Sequence, residues 1–355
     1  METMIEIPVK KVSKSAIQDV NWSALQFGQH TADHMFECTY SNGEWQQPHI
    51  RPFQNLSLSP TTLAIHYGQS VFEGMKAFRM ENGRINIFRI EKHFERLNRS
   101  LERMCMPSIP YDLFVTALHQ LVELDREWVP GEEGSALYLR PFVFASEGKL
   151  GVKVSDEYKF LIVSGPVPTL YAKPISVKVE RKYIRAARGG TGYAKCAGNY
   201  GGSFYPTQLA KEEGFDQVIW TDAFEHEFIE ESGTMNLMFV IDGKLVTPPI
   251  SDSILDGVTR ASLLELAGSI GIEAVERAVS VNELKAALNN GGLTEVFGAG
   301  TAAVIAPVKS IGIDGEIYNL PAYTSNSVMY RLKNELESIR SGRKVDVHGW
   351  NSVVE

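Results

Sequence analysis

The sequence has few of the features that mark secreted, membrane-spanning or nucleic-acid-binding proteins. Its 355 residues include three cysteines, Cys38, Cys105 and Cys196, with no CxxC spacing among them. This sparse, odd number excludes a disulfide framework and indicates a reducing compartment. No apolar stretch approaches the roughly 18 residues that a membrane span needs. The net charge is -8 and basic runs are missing, so a nucleic-acid partner is not expected either.

Two further absences concern targeting and cofactor class. The N-terminal stretch METMIEIPVKKVSKS lacks the apolar core of a signal peptide, and Glu2 and Glu6 count against an amphipathic targeting segment. We therefore expect a cytoplasmic location and no membrane partner. No GxGxxG motif opens a helix after an early strand, which disfavours a nicotinamide-dependent dehydrogenase.

The composition and the length predict a globular protein of two α+β domains. Hydrophobic residues make up 44% and charged residues 22% of the chain, and 355 residues exceed one ordinary core. Periodicity predicts helices at 89–104, 111–125 and 326–340, strands at 136–144 and 158–164, and a new strand pattern from Ile175. Asp242-Gly243 predicts the two-residue turn of a hairpin.

A stretch rich in proline divides the chain near its middle. Gly165-Pro166-Val167-Pro168, with Pro174 beyond it, is the best linker candidate, because proline cannot continue a sheet ladder. We expect domains at residues 1–167 and 177–355, a linker at 168–176, and a ligand site in the cleft between the domains.

Lys195 lies among six glycines in RGGTGYAKCAGNYGG, residues 188–202. Glycines let the backbone approach a ligand closely, whereas an isolated lysine is usually a solvated surface charge. A flexible loop with an incidental lysine is the alternative that this segment alone leaves open.

The lysine segment resembles that of the branched-chain amino acid aminotransferases, which are pyridoxal-phosphate enzymes of fold type IV. The similarity continues in the family's order through blocks that span nearly the whole chain: FGQHTADHMFE (27–37), PFQNLSLSP (52–60), HYGQSVFEGMKAFR (66–79), LYLRP (137–141), EESGTMNLMF (230–239), LDGVTRASLL (255–264) and EVFGAGTAAVIAPV (295–308). Together they look most like the long, eukaryotic-like form of the family.

The resemblance implies a two-domain α+β fold whose larger C-terminal domain binds pyridoxal 5'-phosphate. It implies reversible transfer of the amino group of L-leucine, L-isoleucine or L-valine to 2-oxoglutarate, with ping-pong kinetics. It also implies a homodimer in which each subunit contributes to the other's active site. A D-amino acid transaminase or an aminodeoxychorismate lyase, which share the lysine, and a non-catalytic cofactor carrier are the alternatives.

The same resemblance assigns the cofactor site. Lys195 would hold the cofactor as a Schiff base and move the proton, and Glu231 would keep the ring nitrogen protonated. Tyr200 would hydrogen-bond the phenolic oxygen. Two anion-binding segments, Asp256-Gly257-Val258-Thr259 before a helix and Gly298-Ala299-Gly300-Thr301 between strands, suit a phosphate by their N–H groups. The further cofactor contacts are expected at Arg96, Arg185, Thr234, Leu255, Val258, Thr259, Gly300 and Thr301.

The substrate site must accept both a branched apolar side chain and the dicarboxylate glutamate. Tyr138 and Arg140 alternate on a predicted strand and so share one face, and the resemblance makes them the receptor of the side-chain carboxylate, with arginine as a bidentate partner. The resemblance assigns three further groups to the substrate site. They are aromatic walls (Phe27, Phe72 and Tyr171), residues contributed across a dimer interface (Tyr67 and Val152) and binders of the α-carboxylate (Thr234, Thr301 and Ala302). Core packing is the alternative for the aromatic residues.

The sequence departs from the eukaryotic pattern at one point. Ala303 and Ala306 stand where many eukaryotic members carry a Cys-x-x-Cys pair. We expect no thiol-based control at that position, and we expect no metal site.

Overall fold

The computed structural model describes residues 5–169, 173–302 and 304–354. The chain forms two compact units: the first holds residues 5–169, 194–198 and 339–354, and the second holds residues 173–193 and 199–338. Each unit has its own hydrophobic core and mixes helices with sheet. The α+β class predicted from the sequence is confirmed.

The first unit is built on a nine-stranded antiparallel sheet. Its strands are β1 (His34–Ser41), β2 (Glu44–Trp45), β3 (His49–Pro52), β4 (Ser70–Phe72), β5 (Met75–Arg79), β6 (Ile85–Phe88), β7 (Ala136–Ala145), β8 (Tyr158–Val167) and β18 (Asn351–Val354). They run in the order β18-β6-β5-β7-β8-β1-β2, with β3 beside β1 and β4 beside β7. The last strand of the chain and the lysine segment thus lie with the first unit, although the sequence alone grouped them with residues 177–355.

Helices α1 (Leu63–Tyr67), α2 (Ile90–Arg103) and α3 (Tyr111–Leu124) accompany this sheet. The two longer ones confirm the predicted helices 89–104 and 111–125. Their apolar stripes are buried because they share one core with the aromatic residues of the sheet. This core includes Leu97 and Leu101 of α2, Phe114 and Leu121 of α3, and Phe36 and Phe160 of the sheet.

The linker expected at Gly165-Pro166-Val167-Pro168 is in part a strand. Strand β8 continues through Val167, and Pro166 pairs with Leu137 of β7. The ladder between β8 and β1 ends at Val163. Among the described residues, Pro166 therefore pairs with β7 on one side and lies beyond the β1 ladder on the other. A proline is tolerated there because its missing N–H interrupts no second ladder. The following strand also begins earlier than the expected end of the linker, at Ile175.

The second unit contains a closed barrel. Its strands are β9 (Ile175–Val179), β10 (Gln217–Thr221), β11 (Ile229–Ser232), β12 (Met235–Ile241), β13 (Lys244–Thr247), β14 (Ala274–Glu276), β15 (Leu293–Gly300), β16 (Val304–Ile313) and β17 (Glu316–Asn319). They run β11-β10-β9-β16-β15-β12-β13-β14, and β11 also pairs with β12. That extra pairing joins the ends of a six-stranded path, so the sheet closes on itself.

The remaining helices lie wholly or mostly in the second unit. They are α4 (Gly198–Gly201), α5 (Phe204–Glu212), α6 (Val258–Ser269), α7 (Val281–Asn290) and α8 (Val328–Arg340). Helix α8 corresponds to the helix predicted at 326–340. The Asp242-Gly243 turn is confirmed between β12 and β13, with φ of 48° and 77°, as a type I′ turn requires. Across the described ranges, no helix is long and apolar enough to cross a membrane.

Gly165 offers a test of how closely β8 is packed. A Cβ at this position would lie 2.2 Å from the backbone carbonyl oxygen of His30, and backbone cannot rotate away as a side chain can. We expect Gly165→Ala to lower the free energy of unfolding by about 1–3 kcal/mol, the usual cost of overpacking. Urea denaturation measures this loss. Gly151→Ala is the control, because an added Cβ there meets nothing within 4 Å, and equal effects of the two variants would contradict the close approach.

Candidate active site

The backbone of Lys195 is fixed on both sides within the first unit. Its N–H donates to Ser100 Oγ at 2.9 Å, and its carbonyl oxygen accepts from the N–H of Phe72 at 3.0 Å. The next residue, Cys196, forms a β-bridge with Val71. The half-buried side chain carries its Nζ atom 4.8 Å from the centroid of the Phe72 ring. Lys195 is therefore held in place rather than lying on a free loop.

The predicted carboxylate receptor shares the same aromatic ring. Arg140 lies two residues after Tyr138 on β7 and donates to the Tyr138 hydroxyl at 2.8 Å, so the two side chains share one face, as predicted. The Arg140 guanidinium lies 4.7 Å from the centroid of the Phe72 ring, and the Phe27 ring meets Tyr138 edge-on at 5.0 Å. The Nε atom of Arg140 is buried without a hydrogen-bond partner in the described chain. A buried donor of this kind suits an anionic ligand.

Arg96 is buried, which excludes the solvent-facing position that is usual for a helical arginine. Its guanidinium donates to both carboxylate oxygens of Glu73, at 2.7 and 2.8 Å, and His93 Nδ1 lies 2.8 Å from the same carboxylate. Burial disfavours the charge on Glu73, but Arg96 and the hydrogen bonds outweigh it and hold the pKa of Glu73 well below its usual range. Burial, against the pull of Glu73, lowers the pKa of His93, and the positive charges of Arg96 and Lys195 add to this. His93 is therefore neutral.

In the second unit, Glu231 is buried and surrounded by donors. The N–H of Leu255 donates to Oε1 at 2.5 Å, and Asn236 Nδ2 donates to the same oxygen at 3.3 Å. The Nε atom of Arg185 lies 3.1 Å from Oε2. Arg185 also donates to the carbonyl oxygens of Gly192 at 2.9 Å and Ser253 at 2.5 Å. These contacts suit a carboxylate and fix the orientation of the Glu231 side chain.

The first predicted anion-binding segment forms the start of a helix. Helix α6 begins at Val258, and its cap is Gly257, which has no side chain to cap the first turn. A Cβ at position 257 would lie 1.9 Å from Asn236 Oδ1, so only glycine allows this close approach. The N–H groups of the first turn, with Val258 and Thr259, point out of the helix end and suit an anion.

The second predicted anion-binding segment is shorter than expected. Gly298, Ala299 and Gly300 lie in β15, and Gly298 and Ala299 pair with residues of both β12 and β16. Their N–H groups therefore belong to the barrel ladders, because a central strand uses its backbone on both sides. The turn begins at Thr301, and Ala302, half-buried like Thr301, follows it.

The remaining predicted residues lie in turns, loops and short helices, and several of them are exposed. Thr234 is exposed in the turn between β11 and β12, and Tyr200 is half-buried in α4. Tyr67 is 44% and Val152 is 82% exposed, and the Tyr67 hydroxyl donates to the carbonyl oxygen of Leu150 at 2.7 Å. Tyr171 lies outside the described residues, as does Ala303, whereas Ala306 is buried in β16.

Sequence reasoning assigned no role to three polar residues of these clusters. Lys76 is buried in β5 and is the cross-strand neighbour of Tyr138. Glu73 holds Arg96, and Glu230 is buried beside the Glu231 cluster. A charged residue inside an apolar strand, as in GMKAFR, was the available signal for Lys76. The residues that meet Glu73 and Glu230 are distant in sequence, so no local pattern could have indicated those contacts.

The chain is similar to known aminotransferases in sequence and in structure. The family model described as amino-transferase class IV matches residues 70–311. Branched-chain-amino-acid transaminase 1 of Bacillus subtilis is 46% identical over 333 residues, covering 92% of this chain and 94% of that protein. The crystal structure of the Escherichia coli branched-chain amino acid aminotransferase is 27% identical with a TM-score of 0.74, covering 90% of this chain and 99% of that chain.

A second similar structure is a complex. The T.th. branched-chain amino acid aminotransferase complexed with N-(5'-phosphopyridoxyl)-L-glutamate is 26% identical with a TM-score of 0.71, covering 90% of this chain and 98% of that chain. The family match covers more than half of the sequence, and the similarity to the Bacillus subtilis protein extends over nearly all of it. The chain belongs to the class IV aminotransferases.

Proposed function

We propose that this enzyme is a branched-chain amino acid aminotransferase, which transfers the amino group of L-leucine, L-isoleucine or L-valine to 2-oxoglutarate. The observation that carries the proposal is the pair of cations on the Phe72 ring, Lys195 at 4.8 Å and Arg140 at 4.7 Å. A carboxylate receptor thus lies beside the reactive amine. An enzyme that uses glutamate as well as apolar amino acids needs this combination.

The donor set fits pyridoxal 5'-phosphate. Glu231 offers an ionised acceptor to a protonated ring nitrogen, and the start of α6 at Val258 and Thr259 offers N–H groups to a phosphate. When bound, the cofactor supplies an aldehyde for covalent attachment and an electron-poor ring that stabilises negative charge at the substrate α-carbon. The contacts proposed to complete its site are Arg96, Arg185, Tyr200, Thr234, Leu255, Gly300 and Thr301.

Lys195 and Glu231 have separate roles in the proposed reaction. Lys195 holds the cofactor and, once released, moves a proton at the substrate α-carbon. Glu231, fixed by Leu255, Asn236 and Arg185, keeps the proton on the ring nitrogen. Because one site performs both half-reactions in turn, ping-pong kinetics follow.

The substrate residues serve two kinds of side chain. Phe27, Phe72 and Tyr171 are proposed as apolar walls for leucine, isoleucine and valine. Arg140, oriented by Tyr138, is proposed to bind the side-chain carboxylate of glutamate and 2-oxoglutarate. The proposed binders of the α-carboxylate are Thr234, Thr301 and Ala302.

We also propose a cytoplasmic homodimer in which Tyr67 and Val152 serve the partner's site. Leu150 and Val152 are 76% and 82% exposed, and Ile65 is 64% exposed. The segment that bears Leu150 is tied to α1 by backbone hydrogen bonds, including Leu63 N–H to the carbonyl oxygen of Glu147 at 2.9 Å. Large exposed apolar side chains on two linked segments favour an association surface.

Lys195→Ala tests the attachment site. We expect loss of the visible absorbance of the attached cofactor and a fall in kcat of about 100- to 10,000-fold, because a positioned proton-transfer group is lost. Absorbance spectra and leucine turnover measure these effects. Lys211→Ala, at an exposed lysine of α5, should leave both unchanged. Persistence of the visible band in Lys195→Ala would refute the assignment.

Arg140→Gln tests the carboxylate receptor. Losing a hydrogen bond to a charged group costs about 1.5–3 kcal/mol, so kcat/KM for 2-oxoglutarate should fall about 10- to 100-fold. The half-reaction with leucine, which has no side-chain carboxylate, should change much less. Single-turnover kinetics with each substrate separate the two, with Arg84→Gln at an exposed position as the control. Equal losses for both substrates would count against the receptor role.

Mixing two impaired variants tests whether each subunit contributes to its partner's site. A Tyr67→Ala/Val152→Asp double variant is expected to be poorly active, and Lys195→Ala inactive. If Tyr67 and Val152 serve the partner's site, subunit exchange restores one intact site in each mixed dimer, or about a quarter of wild-type activity at equal mixing. If these residues serve their own subunit's site, mixing restores nothing.

A further inference from the structure

Glu230 is a second buried acid beside the proposed ring-nitrogen partner. It is 8% exposed, and its Oε1 accepts a short hydrogen bond from the hydroxyl of Ser253. Its Oε2 is buried with no hydrogen-bond partner in the described chain. A bare carboxylate oxygen is costly inside a protein, whereas a protonated carboxyl group leaves less charge unsatisfied.

One loop holds both acids. Ser253 binds Glu230 through its hydroxyl and Arg185 through its carbonyl oxygen. Two residues later, the N–H of Leu255 donates to Glu231. The same loop leads into α6, whose first turn is the proposed phosphate site. A change of charge at Glu230 therefore acts on the groups that are proposed to bind the ring and the phosphate.

Among the charged groups that act on Glu230, two are acids and one is a cation. The groups that face Glu230 are Ser253 of the loop, the Arg185 guanidinium, and the carboxyl groups of Glu231 and Asp222. Burial raises the pKa of Glu230 to about 7, against the Ser253 hydrogen bond and the Arg185 charge, while Glu231 and Asp222 raise it further. The Arg185 charge acts on both Glu230 and Glu231. Its closer pairing is with Glu231, where Nε lies 3.1 Å from Oε2.

We infer, on the basis of the proposed function, that Glu230 is a positioning residue that couples cofactor binding to proton release. Below the midpoint of its titration, its buried carboxyl group is protonated when the ring site is empty. When a ring with a protonated nitrogen binds Glu231, the added positive charge favours the Glu230 carboxylate, and the Glu230 proton passes to the solvent. Glu230 then acts through Arg185 and Glu231 on how tightly the ring is held. Cofactor affinity accordingly rises with pH across the titration of Glu230.

Calorimetry of pyridoxal 5'-phosphate binding to the full-length protein stripped of cofactor tests this coupling. Titrations at pH 7 in two buffers with different ionisation enthalpies and no primary amine, PIPES and imidazole, give the protons released per site. We expect Glu230→Gln to release about half a proton less than wild type, as a group that is half-titrated at that pH requires. Glu225→Gln, at an exposed acid of the preceding turn, should match wild type.

Ser253→Ala is a second variant, and its expected effect on proton release differs from that of Glu230→Gln. Removing the hydroxyl takes away a hydrogen bond that favours the charged form of Glu230, so proton release should move to higher pH. Equal proton release by wild type and Glu230→Gln, or an unshifted Ser253→Ala, overturns the inference while leaving the cofactor assignment in place. If pyridoxal 5'-phosphate fails to bind wild type, the proposed function and this inference both fall.

Thermal denaturation without cofactor provides a readout that is independent of binding. Because folding raises the pKa of Glu230, this residue contributes to the free energy of unfolding at pH values below its ordinary pKa of 4.5. That contribution is lost as the pH rises toward about 7. The Tm of wild type should therefore fall relative to that of Glu230→Gln between pH 5 and pH 8, which are about the limits of this titration. Parallel Tm curves for the two proteins would overturn the inference.

Discussion

A carboxylate buried from water is tolerated only when donors surround it, and the second unit is organised around that requirement at Glu231. Its oxygens meet the N–H of Leu255, the amide of Asn236 and the guanidinium of Arg185. Removing one donor from a buried charge costs more than the hydrogen bond itself, because the remaining group stays desolvated. The loop before α6, the β11–β12 hairpin and the segment after β9 must therefore all be in place together.

The strand pairing that closes the barrel brings one of these donors to the acid. Strand β11 pairs with β12 through a tight turn, which places Asn236 directly opposite Glu231. Asn236 then binds the carbonyl oxygen of Leu255 at 2.8 Å, so one amide links the acid to the loop that begins the proposed phosphate helix. The five-residue spacing between Glu231 and Asn236 thus follows from the geometry of a hairpin. Gly257 completes the arrangement, because a side chain there would occupy the position of the Asn236 amide.

In the first unit an aromatic ring has a comparable organising role. Phe72 ends β4, donates its N–H to the carbonyl oxygen of Lys195 and lies under the Arg140 guanidinium. Two cations near one ring repel each other, but the negative face of the ring partly offsets this cost. An anionic ligand at the proposed Arg140 receptor would relieve it further. Buried Lys76, opposite Tyr138, adds positive charge to the same strand pair.

The sequence by itself determined the α+β class, the two long helices of the first unit, the hairpin turn at Asp242-Gly243 and the family, because these depend on periodicity, local backbone preference and ordered motifs. It also predicted that Tyr138 and Arg140 share a face, since alternation is a property of any strand. Only the tertiary structure decided that β8 runs through Pro166, that β18 joins the first unit, and that Gly298 and Ala299 belong to barrel ladders. It also decided which acids are buried: Glu73 meets Arg96, and Glu230 meets Ser253, through contacts between residues far apart in the chain. Burial and hydrogen bonding between distant residues set the charge of these groups, and no local pattern of residues encodes them.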